Sequence, residues 1–256
     1  MPWNRKPLRT RAAVPRVAVA ALVLTLSGCS AGTTSPASAR DEAAADDKGR
    51  TGAVDCAKAH CIALTFDAGP GKDTPRLLDI LKEKKVHATF FLLGKNHVMR
   101  HPDLVAREAR EGHEVGNHTW THKVLTGLDA DAVRDELSRT QDAIAKATGH
   151  RPTLMRPPQG RTDKTVDDVS RELGLSEVLW SATAKDYSTT DTALIRKRIV
   201  DQASRDGIIL LHDIYAGTVP AVPGIIDDLR KRGYTFVTVP ELMAPAHPEP
   251  GTVYRP

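Results

Sequence analysis

Between residues 55 and 243 the chain alternates two apolar patterns. Short apolar runs without helical periodicity, at 62–66, 88–93, 114–116, 153–155, 178–180, 208–211 and 235–239, read as strands. Between them lie longer stretches whose apolar residues recur every third or fourth position, at 75–85, 102–111, 129–148, 164–173, 192–203 and 222–232. These read as amphipathic helices, and Gly112 and Gly149 stop two of them. Repeated strand–helix units of this length predict an α/β fold, a parallel sheet covered by helices. An open doubly wound sheet and an incomplete barrel both satisfy the periodicity.

The flanks differ. In residues 1–28, Arg5, Lys6, Arg9, Arg11 and Arg16 precede an apolar run over 17–26, too short to span a bilayer comfortably, and small residues follow. That order predicts a secretory signal. Its ending, Leu26-Ser27-Gly28-Cys29, resembles a bacterial lipobox, which implies cleavage before Cys29 and lipid on its thiol. The expected location is extracytoplasmic, anchored to the membrane by lipid, or secreted if the lipobox is not used. Residues 29–54, rich in Ala, Ser, Thr and Asp, predict a disordered tether, and the Pro-rich 244–256 a surface tail. The formal charge of +4 is the leader's: without its 5 basic residues, 31 Lys and Arg face 32 acids. Nucleic-acid binding driven by net charge is therefore not supported, and the sequence points to no protein partner. Cys56 and Cys61, a C-x4-C pair in an exported chain, read as a disulfide.

Polar residues gather after the strands. Asp67 ends the first, in "LTFDAGPG"; "GNHTWTH" follows the third, "RPPQG" the fourth, "WSATAKDY" begins in the fifth and "LLHD" ends the sixth. In a parallel sheet these ends share one face, so residues scattered along the chain converge there. His118 and His122, four apart, would sit about 5–6 Å apart at Cβ in a helical turn and point the same way, as two ligands of one metal must. Arg156 leads a backbone stiffened by Pro157 and Pro158, suited to orienting a carboxylate. His212 closes a very apolar run, and both Asp186 and Asp213 are candidate partners that would raise its pKa for general-acid work.

Taken in order, TFDxGP, GNHTWTH, RPPQG, W-x5-D-aromatic and LLH resemble the motifs of the polysaccharide deacetylase (NodB-homology) family, carbohydrate esterase family 4. The likeness covers the whole predicted domain and extends, through "VDCAKAHCIALTFD", to exported peptidoglycan deacetylase-like members. It implies a distorted (β/α)7 barrel and hydrolytic removal of acetyl groups from N-acetylated polysaccharide, with acetylxylan esterases among the relatives. It also implies roles. Asp67 would be the general base, with Arg156 holding it. His118 and His122 would bind a divalent ion, commonly Zn2+. The Gln159 N–H would bind the oxyanion, and His212, tuned by Asp186, would be the general acid. Trp180 and Leu210 would enclose the acetyl methyl. The sequence departs from the family at Thr183, at Tyr187 and, most seriously, at Ala68, where relatives usually place the aspartate that is the third metal ligand. An active two-histidine deacetylase and an inactive glycan-binding surface lipoprotein are the two expectations that follow.

Overall fold

The structure, a computed structural model, describes residues 1–3, 32–46 and 54–256. The stretch expected to be a tether is structured in part. Thr33–Thr34 form a short strand (β1) and Pro36–Asp46 a helix (α1). Arg40, 4% exposed, holds this helix on the body by donating to both carboxylate oxygens of Asp206, at 2.9 and 3.2 Å. No amphipathic stripe announces α1, so composition alone reads as a tether; the partner that fixes it lies 166 residues away. Cys29 and the rest of the predicted signal segment beyond residue 3 lie outside the described residues.

From residue 60 the predicted alternation appears as β2 (His60–Asp67), α2 (Thr74–Lys84), β3 (Thr89–Leu92), α3 (Pro102–Arg110), β4 (Glu114–Asn117), α4 (Ala130–Thr148), β5 (Leu154–Met155), α5 (Lys164–Glu172) and β6 (Ser176–Val178). It continues through β7 (Ala182–Thr183), α6 (Thr192–Gln202), β8 (Gly207–His212), α7 (Thr218–Lys231), β9 (Tyr234–Val237), α8 (Val239–Met243) and β10 (Val253–Tyr254). All the pairings are parallel, in the order β1-β10-β6-β5-β4-β3-β2-β8-β7, with β9 beside the start of β2. β6 and β7 lie on different branches of that order but are separated by three residues of chain, and Ser181 N–H bonds Ile208 O at 3.0 Å. This short stretch of chain links β6, third from one edge of the sheet, to β7 at the opposite edge, and the parallel sheet curls into a half-barrel with the helices around it.

Strand alternation sorts the core into layers. Ile62, Leu64 and Phe66 of β2 face the surrounding helices with Leu77, Leu78, Leu81, Ile199, Ile225 and Leu229. Ala63 turns the other way, into a second cluster with Phe91, Leu154, Val178, Ile208 and Val237. Each of these fully buried large side chains contributes about 1.5–3 kcal/mol. Burial on both faces explains why the strands read as unbroken apolar runs.

Four expectations differ in the structure, the first at 178–180, where β6 already ends at Val178 and Trp180 lies in the connection to β7 rather than in a strand. The helix expected at 222–232 begins at Thr218, because Pro220 sits in its first turn, where amides have no intrahelical acceptor to lose. The run at 235–239 ends as a strand at Val237. Thr238 then caps α8, accepting from Glu241 N–H while the Glu241 carboxylate takes the Thr238 N–H at 2.8 Å. The Pro-rich 244–256 is not merely a surface tail: Val253 and Tyr254 are buried as β10, wedged between β1 and β6.

Candidate active site

β2 and β8 run side by side with Asp67 opposite His212. β4, β5 and the β6–β7 stretch bring His118, Arg156 and Trp180 to the same mouth. Asp67 is 2% exposed, and its Oδ1 accepts the Arg156 Nη1–H at 2.7 Å. Arg156 is wholly buried, and every arm of its guanidinium is used. Nη1 also donates to Thr65 Oγ1 at 2.7 Å, Nε to Val178 O at 2.9 Å and Nη2 to Leu179 O at 3.4 Å. Its plane lies against Phe91, 4.2 Å from the ring centre, with Trp180 at 5.6 Å. A planar five-donor fork fits this cage and a lysine ammonium does not. Asp67 Oδ2 is left facing His118 Nε2 at 3.8 Å.

His118 donates Nδ1–H to Arg156 O at 2.7 Å, which fixes the tautomer and leaves the Nε2 lone pair toward the mouth. Burial pushes His118 down to about 4 against the opposing charge of Asp67, and burial lowers His122 as well. Both rings are therefore neutral near pH 7, the state that ligates a metal. Their centres are 4.9 Å apart. The helical turn expected from the four-residue spacing is not formed. Thr119 and His122 take positive φ, 72° and 65°, and the loop is tied by Thr119 N–H to Asn117 Oδ1, His122 N–H to Thr119 Oγ1 and Thr121 N–H to Glu136. The imidazoles converge because of that loop.

His212 donates Nδ1–H to Asp186 Oδ1 at 2.8 Å, while Asp186 Oδ2 accepts the His212 backbone N–H and the Thr218 hydroxyl. Burial lowers the His212 pKa, but the hydrogen bond and charge of Asp186 outweigh it, and the net direction is upward. Of the two candidate partners, Asp186 makes the contact; Asp213 points away, to Thr74. Gln159 sits at φ 60° on an exposed turn, and its backbone N–H has no protein acceptor among the described residues. Leu210 is buried beneath the mouth, and Trp180 packs over Gly160, whose absent Cβ would lie 3.0 Å from its ring. Trp120 packs on Gly94 and under Arg139, which makes it scaffold, while Tyr187 stands 60% exposed at the rim.

Ala68 follows Asp67 at φ 66°, 6% exposed, its N–H bonded to Phe91 O at 3.0 Å. Among the described residues no three His, Cys, Asp or Glu side chains are grouped to hold a metal ion. The available donor set is two neutral imidazoles beside one carboxylate. Its nitrogen chemistry fits a borderline divalent ion such as zinc, with His118 and His122 as the side chains that would hold it. Thr65 and Thr218 are the supporting groups that motif reading passed over. Thr65 was visible as the one polar residue inside an apolar strand, two positions before Asp67 and so on the same face. Thr218, outside every motif though only five residues past Asp213, gave no such signal.

The fold and its mouth define an α/β barrel protein with an acid–base pair and a two-imidazole cluster at the C-terminal ends of its strands. Residues 55–178 match the family model described as polysaccharide deacetylase. The peptidoglycan-N-acetylglucosamine deacetylase PgdA of Listeria monocytogenes is 41% identical over 182 residues, 71% of this chain and 38% of that protein. A peptidoglycan-N-acetylglucosamine deacetylase of Bacillus cereus is 36% identical over 192 residues, 73% of this chain and 89% of that protein. The chain solved as T48 deacetylase with substrate superposes with a TM-score of 0.75 at 40% identity, over 79% of this chain and all of that one. The chain belongs to the polysaccharide deacetylase family. It spans little more than a third of the length of the Listeria relative, matching 38% of it. Deacetylases of this family are in general metal-dependent.

Proposed function

We propose that this protein hydrolyses acetyl groups from N-acetylated glycan of the peptidoglycan or chitin type. The observation that carries this reading is the pairing of Asp67 with His212 across β2 and β8, each held by its own buried partner, Arg156 and Asp186. Arg156 occupies Oδ1 of Asp67, so Oδ2 is the atom free to take a proton from the attacking water. Water oxygen bonds to the acetyl carbon, and the charge that develops on the carbonyl oxygen is met by the Gln159 N–H. His212, kept protonated by Asp186, delivers its Nε2 proton to the departing sugar nitrogen as the C–N bond breaks, giving acetate and an amine. Trp180 and Leu210 bound the space for the acetyl methyl. His118 and His122 would hold a divalent cation of the Zn2+ type, which supplies electrophilic polarisation of the carbonyl when bound.

A second reading, an inactive glycan-binding protein, is favoured by one observation: a methyl at Ala68 cannot ligate. An acetylxylan-type esterase would use the same acid–base pair. Acetate release from peptidoglycan, chitin oligomers and acetylxylan, measured side by side at a series of zinc concentrations, separates the three. Glycan retention with no acetate at any zinc concentration would remove the hydrolase. The Cys56–Cys61 disulfide, with Cα atoms 5.5 Å apart, supports an oxidising, extracytoplasmic location. Anchoring through lipidated Cys29 remains part of this proposal, tested by mass spectrometry of the mature N-terminus.

A further inference from the structure

Asp213 follows the proposed general acid, is wholly buried, and has no role in the steps above. Its Oδ2 accepts the hydroxyl of Thr74, the first residue of α2, also wholly buried. Thr74 Oγ1 in turn accepts the Gly71 N–H at 2.7 Å. The loop over 68–73 is pressed against the same segment from its other side. A Cβ on Gly69 would fall 2.5 and 2.6 Å from the two carboxylate oxygens of Asp213, and one on Gly71 would fall 2.8 Å from Ile214 Cγ2. Both glycines are there because the backbone must come this close. Asp213 Oδ1 has no partner among the described residues, and burial raises the carboxyl to about 6 although Thr74 and the Gly71 amide pull it down. A buried, half-satisfied carboxyl is costly to keep, and its one side-chain hydrogen bond is to Thr74, the residue that in turn holds the Gly71 amide of this loop.

The proposed base and acid each have a private support: Asp67 leans on Arg156 of the β5 side, His212 on Asp186 of the β7 side. Beyond the β2–β8 ladder, the Asp213–Thr74–Gly71 chain is the hydrogen-bonded tie between the segment after the base and the segment after the acid. We propose that Asp213 is a positioning residue that, through Thr74, clamps the loop 68–73 to β8 and so sets the separation of the Asp67 carboxylate and the His212 imidazole. The inference rests on the deacetylase reading for its catalytic consequence but not for its geometric one.

The test uses the full domain with Thr74→Val, Asp213→Ala, the double variant and the hydroxyl-preserving Thr74→Ser. If the clamp sets the separation, Thr74→Val lowers kcat about 10- to 100-fold with KM nearly unchanged, the range expected for misplacing a reacting group by about an ångström. The double variant is then no worse than the weaker single one, and Thr74→Ser restores the rate. Independently of turnover, NMR titration follows His212. Asp67 contributes to its raised pKa, so a base released from the clamp lowers it in Thr74→Val and leaves it in place in Thr74→Ser. Wild-type protein that yields no acetate from any glycan sinks the deacetylase reading alone, and the titration still decides the clamp. An unchanged His212 pKa in folded Thr74→Val, or additive losses in the double variant, overturns the clamp. Should Asp213→Ala fail to fold, the two threonine variants carry the test.

Discussion

Replacing Ala68 with aspartate is the sharpest perturbation available, because it changes one side chain on a backbone that accepts it. Position 68 stands at φ 66°, a region in which aspartate is several-fold more common than other non-glycine residues. Backbone strain therefore falls slightly or stays level. The new carboxylate arrives beside Asp67 in a mouth where residue 68 is 6% exposed, so without a cation it is a second buried acid with no donor of its own. That costs about 1–3 kcal/mol in the metal-free protein. With a cation the sign reverses. Loss of a group that merely supports a ligand weakens metal binding about 10- to 100-fold, so a direct ligand gained is worth at least about 1.4 kcal/mol. At a free zinc concentration near 100 times the variant's Kd, zinc stabilises it by about 2.7 kcal/mol. In a body of this size that is a rise in Tm of about 5–10 °C. The measurement is a zinc competition titration against a chromogenic chelator, paired with thermal melts with and without EDTA. The variant should bind at least about tenfold tighter than wild type and melt lower in EDTA. Equal zinc affinity in the two proteins would refute the argument, because the missing ligand would then not belong at residue 68.

Three further outcomes are expected. Asp186→Asn removes the hydrogen bond and charge that chiefly oppose burial at His212 and leaves only the weaker pull of Asp67, so the alkaline limb of kcat/KM moves acidward. A raised folded-state pKa adds stability below the ordinary histidine value and loses it as pH rises through the raised one, so chemical denaturation should find this variant's deficit larger at pH 6 than at pH 8. Removing the Cys56–Cys61 disulfide by a double alanine substitution releases a loop closed over a sequence separation of 5 and should cost about 2 kcal/mol, read as a fall in Tm of about 4–8 °C. Arg40→Ala breaks the two bonds to Asp206 and should cost about 1–3 kcal/mol, with protease cleavage within residues 32–46 appearing before any loss of the barrel.

How far the sequence carried this structure depended on what encodes each part. Elements that bury one stripe or two faces through their own residues, such as α4 with Val133, Leu137 and Ile144 or β8 with its unbroken apolar run, were legible from periodicity. The two-residue strands were not. Thr33–Thr34 and Val253–Tyr254 are strands only because β6 offers an edge, and nothing in a two-residue segment can declare that. The curl of the sheet was hidden for the same reason, since it depends on how the 178–182 stretch carries the chain from β6 to β7 beside β8. The capping box at Thr238 and Glu241, by contrast, was written in the sequence as Thr-Val-Pro-Glu and was masked by the apolar residues before it. At the mouth, the residue types were legible and the backbone was not: the four-residue spacing of the histidines suggested a helix, and two positive-φ residues bring the rings together instead.

The same distinction bears on whether losing an aspartate at position 68 silences the site. A ligand that also held its loop in shape would, on removal, let the base drift. Here the loop is held by other atoms: Phe91 O takes the Ala68 N–H, Thr74 takes the Gly71 N–H, and Asp213 and Ile214 press on Gly69 and Gly71. Asp67 is fixed from behind by Arg156, His118 from behind by Arg156 O, and His212 from behind by Asp186. No interaction in that set needs a side chain at position 68. On the deacetylase reading the methyl there offers the cation no ligand, and the geometry of base, acid and paired imidazoles stands without it. Activity in this protein should therefore scale with metal occupancy, which rising zinc can restore, and should not be lost outright as it would be in a collapsed mouth.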